Sequence, residues 1–64
     1  MKRWNGHDHV ENKRIDDFLN EVIVVCKNHG LSISHEDGHG AFVICDYDDS
    51  DSRWLMDALD KTSK

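Results

Sequence analysis

The segment from Leu31 to Tyr47 constrains the fold of this chain more than any other part of the sequence. A first run, Leu-Ser-Ile-Ser-His, leads into Glu-Asp-Gly-His-Gly, and a second run, Ala-Phe-Val-Ile-Cys-Asp-Tyr, follows. Asp37-Gly38 suits a two-residue type I′ turn, in which both central residues have positive φ. The sequence therefore predicts an antiparallel β-hairpin in which Glu36 lies opposite His39.

This register divides the side chains of the hairpin into two faces, because successive residues of a strand point to opposite sides. One face is apolar, and we expect the rest of the chain to cover it; it consists of Leu31, Ile33, Phe42 and Ile44. The other face is mixed and only mildly apolar; it consists of Ser32, Ser34, Ala41, Val43 and Cys45. The turn chemistry and the apolar pattern select the same register.

Amphipathic segments on both sides of the hairpin predict two helices. Before the hairpin, apolar residues recur at helical spacing from Ile15 to Cys26. Asn12 can cap the start of this helix, and Gly30 stands where a C′ glycine would end it. After the hairpin, an acidic connection leads to a second helix that we predict over residues 52–61.

The order helix, strand, strand, helix predicts an α+β fold, a small αββα domain with both helices packed on the apolar face of the hairpin. We expect this single domain to span residues 12–64. Residues 1–11 are polar and show no apolar periodicity, so they predict a flexible N-terminal leader. A chain of this size buries only about 60% of the surface that its unfolded form exposes, so dimerisation through the hairpin is an open alternative.

Charge and composition exclude several classes of partner. The formal net charge is -5, from 13 acidic and 8 basic side chains, so nucleic acid is not expected as a partner. No apolar run approaches the roughly 20 residues of a membrane span, and no membrane contact is expected. The N-terminal charges are not followed by an apolar stretch, and the two cysteines are then expected to be reduced, which predicts a cytoplasmic protein.

Five histidines and two cysteines raise the question of a metal site, since imidazole and thiolate groups ligate zinc. The predicted register sends His35 and His39 to opposite faces, and it separates Cys26 from Cys45. No four of these side chains converge, so neither a metal site nor a cofactor is predicted. A metal-responsive binder, using histidines and the acidic residues 46–57, stays an alternative.

Catalysis is not predicted either. A nucleophilic site needs Ser or Cys beside His, whereas Ser34 and His35 are neighbours on a strand and point to opposite faces. A chain of 64 residues also leaves little room for a substrate cavity. The sequence therefore predicts no catalytic residues and a protein that is not an enzyme.

The acidic stretch at the end of the hairpin is predicted to be an interaction surface. Tyr47 leaves the second strand among carboxylates, and a large aromatic side chain ringed by charge is typical of a binding hot spot. The carboxylates would steer a basic partner surface, whereas Trp54 is interpreted as a core residue. The predicted partner-binding residues are Tyr47, Asp46, Asp48, Asp49, Asp51, Val43 and Cys45.

From Leu31 to Asp46, the string Leu-Ser-Ile-Ser-His-Glu-Asp-Gly-His-Gly-Ala-Phe-Val-Ile resembles the central motif of small uncharacterised proteins encoded by bacteriophages and prophages of Gram-positive bacteria. An amphipathic segment ending Cys-Lys-Asn-His-Gly precedes it here, as it does in those proteins. The resemblance covers residues 15–59. It implies a phage accessory protein that acts in the cytoplasm of a bacterial host cell, and it brings no catalytic residues with it.

These observations predict a non-enzymatic phage accessory protein that binds and modulates a host protein. Its acidic and aromatic surface would meet the partner, or the open edge of the hairpin would accept a strand from it. The first alternative is a self-associating structural or regulatory module, a homodimer through the hairpin. The second alternative is the metal-responsive binder.

Overall fold

Two antiparallel β-hairpins and two α-helices make up the structure, a computed structural model that describes residues 1–63. In chain order the elements are β1 (Lys2–Trp4), β2 (His9–Glu11), α1 (Lys13–His29), β3 (Leu31–His35), β4 (Phe42–Asp46) and α2 (Asp49–Met56). The α+β class is confirmed, and α1 to α2 follow the predicted order αββα. The first hairpin was not predicted.

The N-terminal hairpin pairs β1 with β2, with Arg3 opposite Val10. Its turn is closed by Asn5, whose Oδ1 accepts the N–H groups of His7 at 2.8 Å and Asp8 at 2.7 Å. The sequence predicts a flexible leader over residues 1–11, whereas the structure gives this segment two short paired strands. Strands of three residues are too short to show apolar alternation, which is why the pattern did not reveal them. The domain boundary between residues 11 and 12 stays a prediction.

Helix α1 begins and ends where its capping residues predict. The Asn12 side chain accepts the N–H of Arg14 at 3.1 Å. At the other end Gly30 adopts the left-handed conformation, with φ of 69°, and its N–H bonds to the carbonyl oxygens of Cys26 and Lys27. Leu19 and Cys26 are the buried apolar side chains of this helix, so its inner face supplies the small core.

The β3–β4 hairpin has a register that differs by two residues from the predicted one. Ile33 lies opposite Ile44, whereas the two-residue turn predicts Ile33 opposite Phe42. A shift of two residues keeps every side chain on its predicted face, because the side-chain period of a strand is two. The two faces are therefore as predicted, and only their pairing along the strands changes.

A four-residue loop, residues 37–40, replaces the predicted turn. The Glu36 N–H donates to the Ala41 carbonyl oxygen at 2.8 Å, and the Gly40 N–H donates to the Glu36 carbonyl oxygen at the same distance. In this loop Gly40 has a positive φ, of 70°, whereas Asp37 has a negative φ, unlike in the predicted turn. Glu36 Oε1 accepts the N–H of His39 at 2.9 Å, so a side-chain bond supports the wider loop.

Helices α1 and α2 pack against each other and against β3, whereas β4 meets α2 through the Cys45 thiol and the Asp51 carboxylate. The apolar side chains of β4 are uncovered: Phe42 is 83% exposed and Ile44 is 62% exposed. The prediction that this face would be buried is wrong for β4, and Leu31 of β3 is exposed as well. Helix α2 is only 8 residues long, about 12 Å, too short to cover both strands.

Helix α2 is displaced toward the N-terminus compared with the predicted span of residues 52–61. It begins after Asp48, whose side chain accepts the N–H of Ser50 at 2.8 Å. The helix ends at Met56, and the chain that follows bonds to the N-terminal hairpin. Arg3 Nη1 donates to the carbonyl oxygens of Met56 and Ala58, and the Asp60 N–H donates to the Trp4 carbonyl oxygen at 3.0 Å. In the described part of the chain, neither helix has the length and apolarity needed to span a membrane.

Candidate interaction surface

The structure holds Tyr47 against the first turn of α2. Its hydroxyl donates to Asp49 Oδ1 at 2.8 Å and accepts the hydroxyl of Ser52 at 3.2 Å. Its backbone N–H donates to the Gly30 carbonyl oxygen at 2.9 Å. Tyr47 is half-buried and its hydroxyl is already bonded, so any contact with a partner would use the remaining ring surface.

Asp48 and its neighbours also have local roles. Two hydrogen bonds from Ser50 lower the pKa of the Asp48 carboxyl. The bond from the Ser50 hydroxyl has the larger effect, and the bond from its backbone N–H adds to it. The backbone N–H of Asp48 donates to Ser32 Oγ at 2.8 Å, which fixes the chain where it enters α2. Asp46 is exposed at the end of β4, opposite Leu31. Helix capping therefore accounts for part of this acidic stretch.

Val43 and Cys45 lie on the opposite face of the hairpin from Phe42 and Ile44. The Cys45 thiol donates to Asp51 Oδ2 at 3.6 Å. Partial burial, and then the nearby Asp51 carboxylate, raises the pKa of the Cys45 thiol, which favours its neutral form. The role of these residues in partner binding stays a prediction.

A groove with a mainly apolar lining lies between the β3–β4 hairpin and α2, beside the exposed face, and it was not predicted. Its volume is about 490 Å³. Its apolar wall consists of Ile33, Phe42, Trp54, Leu55 and Leu59. Trp54, which the sequence favours as a core residue, is half exposed here, and its ring lies 4.2 Å from the ring of His35 at an angle of 47°.

The groove was missed because the sequence predicts a longer α2 that covers the hairpin. The sequence did contain a signal, because the second helix has too few apolar residues to cover the hairpin. It offers a narrow apolar stripe, Trp54, Leu55 and Leu59, whereas one face of the hairpin has four apolar side chains. A single short helix cannot bury all of these. The apolar area of the hairpin face exceeds what the second helix can cover, and this difference indicates an uncovered surface.

Each of two histidine–carboxylate pairs joins a residue of the loop between β3 and β4 to a residue just before the loop. His39 Nδ1 lies 2.6 Å from Glu36 Oε2, and this contact lowers the pKa of Glu36. His35 Nδ1 lies 3.2 Å from Asp37 Oδ1. Glu36 and His39 are in contact, as predicted, but the predicted pairing across a turn is wrong, because Glu36 lies opposite Ala41 and His39 belongs to the loop. Within residues 1–63, no three His, Cys, Asp or Glu side chains come together in a way that could hold a metal ion.

Comparisons with known protein families, with curated proteins and with solved structures find no match to this chain. The resemblance of residues 31–46 to phage-encoded proteins therefore stays a prediction. Function has to be inferred from the chemistry of the surface that the fold exposes.

Proposed function

We propose that this chain is a non-enzymatic interaction protein, a phage accessory protein that binds and modulates a host protein in the bacterial cytoplasm. The observation that carries the proposal is the uncovered apolar face of the β3–β4 hairpin. Phe42 and Ile44 stand on this face almost free of contact with the helices. Contiguous apolar surface of this kind is characteristic of protein–protein interaction sites.

The free edge of β4 supports the same function. In the part of the chain that the structure describes, β4 pairs with β3 alone, so its other edge presents unpaired backbone groups. A partner strand added there would gain main-chain hydrogen bonds, and its side chains would pack beside Phe42 and Ile44. Backbone pairing and apolar contact are thus offered at the same place.

Charge favours a basic partner. The chain carries a net charge of -5, and the exposed Asp46 and Asp49 lie just beyond the end of β4 and at the start of α2. A negative surface raises the rate of encounter with positive surfaces and opposes binding to nucleic acid. The proposed partner is therefore a host protein with a basic surface.

Affinity capture from a lysate of Gram-positive bacteria tests this function. The immobilised chain is compared with a Phe42→Ser/Ile44→Thr variant and with a matched control, Val24→Thr/Val25→Thr, which changes exposed apolar residues of α1. The wild-type chain and the control should enrich the same protein, and the hairpin variant should lose it. Circular dichroism shows whether each variant stays folded. No reproducible capture, or equal loss in both variants, would contradict the proposal.

Self-association is the second candidate, because the free edge of β4 could also pair with its counterpart in another copy across a two-fold axis. The negative charge of both copies opposes this arrangement. Sedimentation velocity at tens of micromolar protein tests self-association, since a strict monomer at this concentration would exclude the dimer. The metal-responsive binder gains no support from the described residues, where no group of three metal-ligating side chains occurs.

A further inference from the structure

We propose that the groove between the β3–β4 hairpin and α2 binds a partner segment in which a large apolar side chain stands next to a Lys or Arg. This inference rests on the proposed function and specifies the chemistry of its partner. The apolar side chain would enter the groove, and the cation would meet the carboxylates at its wall.

The size and lining of the groove suit one large side chain and the backbone that carries it. A volume of about 490 Å³ lies within the range of sites that enclose small ligands. Three of its lining side chains, Phe42, Leu59 and Trp54, leave about half or more of their surface exposed. Burying an aromatic or aliphatic side chain here would favour binding, because it removes apolar surface from water on both partners.

Two carboxylates, Asp51 and Asp57, line the same groove, and none of its described lining residues is a Lys or Arg. Asp51 is half-buried, so water screens its charge less than that of a fully exposed acid. A guanidinium or ammonium group in the groove would form charge-assisted hydrogen bonds with these oxygens. The exposed face of Trp54 adds a site where a cation is attracted to the ring.

Helix stability does not account for Asp57. It stands at the C-terminal cap of α2, where the helix dipole already presents negative charge and a carboxylate is unfavourable. Asp48, Asp49 and Asp51 stand at the other end, where a carboxylate stabilises the helix. An acid that opposes its own helix yet faces an apolar groove is explained if it meets a cation from a partner.

The same charges disfavour a second copy of this chain as the occupant. Two copies that each carry a net charge of -5 repel one another, whereas a basic segment is attracted. A second copy is therefore an outcome that the experiment has to detect, rather than the expected one.

Selection from a library of short random peptides tests the inference, with binding measured by fluorescence. The bait is a Trp4→Phe variant, in which Trp54 becomes the single reporter tryptophan. The Trp4 side chain is partly exposed and contacts the His9 ring, and phenylalanine keeps the backbone bonds and an aromatic ring there. Enriched peptides should carry a large apolar residue beside Lys or Arg. On titration they should shift the emission of Trp54, and their affinity should fall with rising salt.

Two charge variants of this reporter chain separate the groove from the general negative field. Asp51→Asn/Asp57→Asn should weaken the Kd of enriched peptides at least tenfold, which corresponds to about 1.4 kcal/mol, because both charge-assisted hydrogen bonds become neutral ones. Asp8→Asn/Asp17→Asn makes the same change in net charge outside the groove and should leave the Kd within about twofold.

Several outcomes would overturn the inference. These are the absence of enriched peptides, enrichment without basic residues, equal effects of the two charge variants, and a dimer in sedimentation whose formation protects Trp54. The inference can also fail alone. If the captured host protein is lost with Ile44→Thr but retained by Asp51→Asn/Asp57→Asn and by Leu59→Ser, the proposed function stands and the groove is not its site.

Discussion

Arg3 and Asp16 form a salt bridge of 2.6 Å between Nη2 and Oδ1, and the Arg3 side chain is only 1% exposed. Arg3 Nη1 also donates to the carbonyl oxygens of Met56 at 2.8 Å and Ala58 at 2.9 Å. One side chain therefore joins β1, the first turn of α1 and the chain at the end of α2. Within the described residues Arg3 Nε has no hydrogen-bond partner. The bonds of Nη1 and Nη2 therefore have to offset the cost of burying the guanidinium charge.

Truncation of Arg3 should destabilise the whole fold. Arg3→Ala removes three hydrogen bonds that involve a charged group and leaves carbonyl groups inside without a donor, at a cost of about 3 kcal/mol in the free energy of unfolding. Lys2→Ala is the matched control, because Lys2 is the exposed neighbour on the same strand. Urea denaturation measures both variants. Equal stability of the two would show that Arg3 does not join the three elements.

Acid should weaken the same contact. The Met1 amine and the Arg3 guanidinium hold the pKa of Asp16 below its ordinary value. Since the unfolded chain binds the proton more readily, the ionised carboxylate stabilises the fold above about pH 4, and this contribution is lost as the pH falls through the lowered pKa. Asp16→Asn should therefore be less stable at neutral pH and should lose less stability in acid.

Unfolding free energies measured from neutral pH into acid test this expectation. Part of the acid sensitivity should remain in Asp16→Asn, because hydrogen bonds from Thr62 also lower the pKa of Asp60. Asp17→Asn, which removes an exposed carboxylate one residue away, is the control. An Asp16→Asn curve parallel to that of the wild-type chain would contradict the assignment.

The parts of the fold that depend on neighbouring residues were predictable from the sequence. Asn12 and Gly30 cap α1 through atoms within four residues, so residue type and spacing sufficed. The faces of the β3–β4 hairpin were also correct, because they depend only on parity. Its register was not, since the contact of Glu36 with His39 supports a wider loop than Asp37-Gly38 indicates.

The candidate site depends on contacts between distant parts of the chain, and local pattern does not encode them. Arg3 Nη1 donates to the Met56 carbonyl oxygen across 53 positions, at the point where α2 ends. Only with α2 shortened do Phe42 and Leu59 become walls of a groove. A buried arginine in a polar segment has the same sequence pattern as a solvated one, so the excess of apolar residues indicates an uncovered surface but not the position of the groove.

Ser32 should contribute more to the stability of the fold than its small side chain suggests. It is 1% exposed, its Oγ accepts the Asp48 N–H at 2.8 Å, and its hydroxyl approaches the Asp48 carbonyl oxygen at 3.4 Å. Ser32→Ala leaves a partly buried N–H without its acceptor and should cost about 1 kcal/mol of stability. Ser34→Ala, on the same face but less buried, is the control. Hydrogen exchange at the Asp48 amide should accelerate only in Ser32→Ala, and an unchanged rate would rule out this bond.

Gly40 sets the geometry of the loop that carries the two histidine–carboxylate pairs. Its φ of 70° is favourable for glycine, and an added Cβ would meet no atom within 4 Å, so a substitution costs conformational energy rather than a clash. Gly40→Ala should lower stability by about 1 kcal/mol, or roughly 5 °C in Tm for a domain of this size. Gly40→Asn should lose less, because asparagine tolerates the left-handed region. Thermal unfolding of both variants tests the order, and an alanine variant at least as stable as the asparagine variant would show that the loop does not require this conformation.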